Sequence, residues 1–149
     1  MPLFSAKTDY ALRAAVDLAL QPPDRACQSR DIAARQDIRG PYLDQILAVL
    51  KRQGIVRSVR GAGGGYLLAR NPRHITVGEI VRAVVGDRLL LGSSGAEATP
   101  ETGGAVYIVR QFEGKVEAQI NRMLDETTLA DLVASKQCLD DALSIMPSI

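Results

Sequence analysis

The stretch VRSVRGAGGGYLLAR, residues 56–70, sets four glycines into five positions between two short apolar runs. No other stretch constrains the fold as much, because such a run serves either as a backbone cradle for phosphate or as a tight turn. The dinucleotide fingerprint GxGxxG fails on identity: after Gly61 and Gly63 the sixth position is Tyr66. A P-loop needs Gly-Lys-Ser/Thr, and neither Lys nor Ser/Thr follows the glycines. Both motifs also lead into a helix, whereas Tyr66-Leu67-Leu68 is a short apolar run bounded by Arg70-Asn71-Pro72 and reads as a strand. Residues 56–60 and 65–68 are therefore expected to form a β-hairpin with a flexible glycine tip.

Three helices are expected ahead of this hairpin. Residues 5–20 are rich in Ala and Leu, without Gly or Pro, until Gln21-Pro22-Pro23 ends the run. Ser29 is the expected N-cap of a short helix to about residue 36, with Ile32 and Ala33 on its buried side. In the third helix Pro41 suits the first helical position, and Leu43, Ile46, Leu47 and Leu50 follow at i, i+3, i+4 and i+7 before Gly54 supplies a stop. That stripe must face a core. The other side carries Tyr42, Asp44, Gln45, Lys51 and Arg52, a polar and basic face suited to a DNA major groove. A solvated surface has the same pattern, so the helix alone does not decide. Two short helices, a polar-faced third and a hairpin make a winged helix-turn-helix: a mainly α fold with a small β wing.

Charge points the same way. The formal net charge is only +1, but residues 1–74 hold 12 Lys+Arg against 6 Asp, a balance of +6, and residues 75–149 hold 6 against 11, a balance of −5. The first half suits a polyanion and the second does not. Hydrophobic residues at 46% and charged residues at 23% describe an ordinary globular chain. There is no apolar run near the roughly 20 residues of a membrane span, nor a signal-peptide stretch in MPLFSAKTDY, so no membrane partner and a cytoplasmic location are expected. Cys27 and Cys138 form no CxxC or Cys/His cluster, and the one histidine, His74, has no supporting nucleophile or carboxylate pattern. No metal site, and no enzyme, is expected.

Past the wing, Thr76-Val77-Gly78-Glu79 fits a capping box opening a helix to about residue 85. Residues 86–104 read as a loop of small and polar residues. Val106, Val109, Phe112, Val116, Ile120 and Met123 then recur every three or four residues, predicting a helix over 105–124. A helix that long spans roughly 30 Å and most of it needs a partner, which favours a homodimer paired through it. Thr128-Leu129-Ala130-Asp131 is a second capping box, starting a short helix to about residue 133. Three units are thus expected: a DNA-binding domain over 1–85, a sensor or effector loop over 86–104, and a dimerisation region with tail over 105–149.

SAKTDYALRA, IAARQDI, PYLDQIL, GIVRSVRGAGGGYLLAR and ITVGEIV, in this order and spacing, resemble the winged-helix regulators of the Rrf-two family, which includes IscR-, NsrR- and CymR-type proteins. The resemblance runs from about residue 3 to 85 and resumes at TLADLV, 128–133. It implies a homodimeric transcription factor, usually a repressor, that places a recognition helix in the major groove of a double-stranded operator and a wing Arg at the minor groove. On this chain the recognition helix is 41–53, led by Arg39 and Gly40, and the wing residue is Arg60. The DNA-binding set is Arg30, Arg39, Tyr42, Asp44, Gln45, Lys51, Arg57, Ser58, Arg60, Gly61, Gly63, Gly64, Gly65 and Tyr66. Asp44 stands where the family often has Glu; its shorter carboxylate still suits cytosine N4 but reaches less far.

Cluster-binding relatives carry three closely spaced cysteines before the long helix, and here residues 86–107 contain none. Because iron–sulfur clusters are held mainly by thiolates, no cofactor is expected for the chain as written; a cluster would follow only if native cysteines in that loop have been replaced. Small residues do populate it: Gly92, Ser93, Ala96, Ala98 and Ala105. Three accounts of sensing stay open: a cluster-free regulator answering to a protein or small-molecule effector, a thiol sensor using Cys27 or Cys138, or a chain whose cluster cysteines were replaced. A protein-interaction adaptor that has lost DNA affinity is the alternative from another class.

Overall fold

The computed structural model describes residues 3–86 and 99–147. The expected sensor loop falls mostly on residues outside that range. Helix α1, Ala6–Leu20, starts at Ser5, whose hydroxyl accepts the Thr8 backbone N–H, and stops before Pro22 and Pro23. Ala11, Ala14, Ala15 and Leu18 are buried along one side, so neighbouring helices approach α1 closely. Helix α2, Ser29–Gln36, begins one residue ahead of expectation: Gln28 is the N-cap, without a side-chain bond, and Ser29 is the first helical residue. Asp37 adopts the left-handed conformation (φ 51°), which turns the chain so that Ile38 is buried and α3, Gly40–Arg52, can begin. Leu43, Ile46, Leu47 and Leu50 of α3 are fully buried.

α1 and α2 are clamped by an ion pair. Asp17, 3% exposed, accepts from Arg35 Nε at 2.9 Å and Nη2 at 2.7 Å and from Gln36 Nε2 at 3.1 Å. The hydrogen bond to Asp17 pushes the Arg35 guanidinium above its already high pKa, against the opposing effect of burial. Arg13 also donates to the Gln36 carbonyl.

Strands β1, Val56–Val59, and β2, Gly65–Leu68, pair antiparallel with Val56 opposite Leu68 and Ser58 opposite Tyr66. His74 closes a 3-10 turn, Pro72–His74, and helix α4 follows over Val77–Val85. Thr76 and Glu79 exchange both bonds of the capping box. Helix α5 spans Pro100–Glu126, starting inside the expected loop; Gly104 breaks it with non-helical angles (φ 34°, ψ −110°), so regular helix starts where the apolar repeat does. Thr128 caps helix α6 with the expected box, but α6 runs to Ile145 rather than 133. Its polar second half, ASKQCLDD, has no helix breaker before Pro147, and propensity continues what apolar periodicity does not mark.

The main core joins α1–α4, β1 and Leu129; a smaller one, Val77, Val81 and Leu124, seats the end of α5 on α4. Backbone bonds from Val77 N to Thr127 O and from Leu129 N to Ile75 O, both 2.8 Å, stitch the α5–α6 connection alongside residues 75–77. Among the described residues no helix is long and apolar enough to cross a membrane.

Replacing Arg35 by Ala leaves the buried Asp17 carboxylate with the hydrogen bond from Gln36 Nε2. Because Arg35 is itself 40% exposed, the expected loss is about 2 kcal/mol, below the roughly 3–5 kcal/mol of a fully buried pair. Urea denaturation checks it.

Candidate nucleic-acid interface

With α3 held by its apolar stripe, the helical period aims Pro41, Gln45, Ala48 and Arg52 outward, with Asp44 and Lys51 on one flank and Tyr42 on the other. Arg39, Pro41, Tyr42 and Gln45 together border a shallow depression of about 420 Å³ at the helix's N-terminal end. Tyr42 is half-buried and meets Tyr10 edge-on, ring centroids 5.6 Å apart, while Arg13 lies over the Tyr10 ring at 5.3 Å. Its ring is thus held by the first helix. Lys51 stands nine residues beyond Tyr42, roughly 13 Å along the axis, away from that cluster. Arg30 sits at the start of α2, 79% exposed and 3.7 Å from Asp31. Arg52, which the sequence places on the polar face, lies centrally there and belongs with the site residues.

The wing divides the remaining candidates. Gly61 and Gly63 are exposed, with open space where a Cβ would stand, and Arg60 beside them is exposed. Gly64 is buried: a Cβ would lie 2.4 Å from the Val59 carbonyl oxygen, and its N–H closes the turn onto Gly61. Gly65 is held at φ 147°, where a Cβ would lie 2.3 Å from the Cys27 carbonyl oxygen. That closeness lets Cys27 and Tyr66 exchange two backbone bonds, Cys27 N to Tyr66 O at 2.9 Å and Tyr66 N to Cys27 O at 2.7 Å. Tyr66 packs against the core. Gly64, Gly65 and Tyr66 hold the wing in shape, and Gly61, Gly63 and Arg60 form its accessible tip.

Register also separates Arg57 from Ser58. Arg57 opposes Leu67 and lines a groove of about 480 Å³ with Pro22, Pro23 and Leu68, whereas Ser58 shares the face of Tyr66. At the wing's exit Arg70 Nη2 donates to Glu79 at 2.8 Å. Burial pushes the Glu79 carboxyl up, but the Thr76 N–H and Arg70 outweigh it and hold it below the ordinary 4.5.

Of the six residues expected on the dimer face, Val106, Val109, Phe112 and Met123 are 52–71% exposed. Ile120 instead packs partly against Val77, Val81 and Leu124. Ile108, 62% exposed, is an apolar neighbour that the three-or-four spacing does not include. Cys27 is buried beside β2, its thiol directed at the Arg25 carbonyl at 3.8 Å, and Cys138 is exposed on α6; neither is in a disulfide.

A two-helix unit with an exposed polar face on its second helix, followed by an anchored wing, is a winged helix-turn-helix. Residues 4–135 match the model of the Rrf2 family, described as iron-dependent transcriptional regulators. The chain belongs to the Rrf2 family. It is 34% identical to the transcriptional regulator IscR of Yersinia enterocolitica over 141 residues, 93% of this chain and 83% of that one. A helix-turn-helix regulator of Synechocystis is 45% identical over 80 residues, 54% of each chain. Among solved structures, T. potens IscR aligns with TM-score 0.71 and 37% identity over 98% of this chain and 93% of the other. CymR, the global cysteine regulator of B. subtilis, aligns with TM-score 0.73 and 30% identity over 91% and 98%. The relatives are transcriptional regulators and not enzymes.

The family's iron does not find an iron–sulfur donor set here. The two thiols stand on separate elements, residues 86–107 supply none, and no group of three His, Cys, Asp or Glu is arranged for a metal among the described residues.

Gly65→Ala is expected to force the wing off Cys27 and cost roughly 2–3 kcal/mol, since the obstacle is backbone and the φ is strained for Ala. Chemical denaturation measures the loss. Glu79, with its lowered pKa, contributes stability above its unfolded value near 4.5 that disappears as pH falls through the folded value. Glu79→Gln should flatten that part of the acid limb in pH-dependent melts.

Proposed function

We propose that this regulator is a homodimeric, sequence-specific repressor that reads a pseudo-palindromic operator. The observation that carries this reading is the grouping of Arg39, Tyr42 and Gln45 around the depression at the N-terminal end of α3, together with a wing whose accessible tip presents Arg60. α3 enters the major groove by its N-terminal end, where Gln45 and Tyr42 reach base edges and Asp44 accepts from cytosine N4. Arg60 enters the minor groove, with the Gly61–Gly63 backbone passing close to phosphate. Arg30, Lys51, Arg52 and Arg57 add sequence-independent phosphate attraction. The +6 balance of residues 1–74 supports this assignment.

Two copies pair through α5. Val109, Phe112, Val116 and Met123 approximate one seam, with Val106 beside it, and the exposure of Phe112 at 65% and Met123 at 71% is costly for an isolated chain. The chain as written works without an iron–sulfur cluster, and its signal comes from a protein or small-molecule effector. A thiol reading has one specific support: Cys27 shares two backbone bonds with the wing, so modification there would disturb β2.

Gel shifts on an operator from genomic selection should show binding that weakens steeply with salt. Arg60→Ala should lower affinity about 10-fold and reduce the salt slope by about 1. Binding indifferent to salt, or unchanged in Arg60→Ala, would contradict the wing assignment. In sedimentation experiments Phe112→Glu should convert a dimer to monomer at micromolar concentration; a wild-type monomer would contradict the pairing.

A further inference from the structure

We propose that Arg82 and Asp125 are positioning residues that fix the angle between the winged helix and the long helix, and thereby the half-site spacing this protein reads. The inference rests on the dimeric DNA-binding reading above and concerns the joint, which no part of that reading uses.

Arg82 on α4 grips Asp125 on α5 bidentately, Nη1 to Oδ1 at 2.7 Å and Nη2 to Oδ2 at 2.9 Å, and reaches Asn121 at 3.4 Å. The fork geometry fixes direction as well as distance. The backbone bonds at Val77 and Leu129 fix one end of the joint, and the apolar contact of Val77 and Val81 with Leu124 seats α5 on α4 without setting its direction. Arg82 lies five residues farther along α4, roughly 7.5 Å from Val77 along the axis, and adds the directional tie that the apolar contact lacks.

Gly78 independently reports the same contact. A Cβ there would lie 2.3 Å from Asp125 Oδ1, so any side chain at 78 displaces the carboxylate from its seat. At its N-terminal end α4 also receives the wing's exit through Arg70 and Glu79. One short helix therefore joins the wing's root to the end of the long helix.

The lengths make the angle matter. A tilt of about 7° acting over roughly 30 Å, about the span of a 20-residue helix, moves the far end of α5 relative to the winged helix by about one 3.4 Å base-pair step. Half-site spacing in a dimeric complex follows from the separation of the two recognition helices.

The test measures affinity of the full-length chain for the selected operator, for versions with the half-sites one base pair closer or farther, and for a single half-site. Gly78→Ala displaces the Asp125 carboxylate without removing a charge, and Asp125→Asn weakens the grip without adding bulk. Both variants should keep the dimer and single-half-site affinity within about 2-fold of wild type. Their preference for the native spacing over the altered ones should fall about 10-fold or more. The exchange Arg82→Asp with Asp125→Arg should recover part of it. Native spacing preference in both single variants overturns the clamp while leaving the function intact. A wild-type chain that binds none of these duplexes overturns the function and the clamp together.

Discussion

The two backbone hydrogen bonds between Cys27 and Tyr66 are the constraint on which the rest of this molecule's working surface depends. They add the segment entering α2 to the edge of the hairpin and so tie the wing to the helix-turn-helix. The arrangement requires a glycine at 65, where any Cβ would strike the Cys27 backbone. The glycine run that first suggests a phosphate cradle thus has two unlike ends. Gly61 and Gly63 are open and free to approach a ligand, whereas Gly64 and Gly65 are occupied by the chain's own backbone.

Elements built by local rules are legible in the sequence. The capping boxes at Thr76 and Thr128, the apolar stripe of α3 and strand β2 all rest on residues within a few positions of each other. Contacts between distant segments are not. Nothing in the sequence announces that Cys27 pairs with Tyr66, or that Arg82 reaches Asp125 across 43 positions. The length of α6 escapes because its second half is amphiphilic in no clear sense, yet contains nothing that stops a helix. Within the site, the period of α3 identifies Gln45 and Arg52 correctly as facing outward, whereas Tyr42, on the flank, is half-buried against Tyr10. It does not say that Tyr66 turns inward, because a two-residue alternation in a four-residue strand becomes decisive only when the core side is known.

The family relationship divides along the same line. The match begins at residue 4 and runs through the wing and α5 to residue 135. Residues 86–107 carry no thiol, and Cys27 and Cys138 stand on separate elements.

Hydroxyl-radical footprinting of the wild-type chain on its selected operator tests the central claim most directly. A dimer that places α3 in the major groove and Arg60 in the minor groove predicts two symmetric sets of protections on one face of the duplex, centred about 10 base pairs or a multiple apart. Each set should include a minor-groove protection beside the half-site. A single protected patch without symmetry, or backbone protection with open minor grooves, would contradict it.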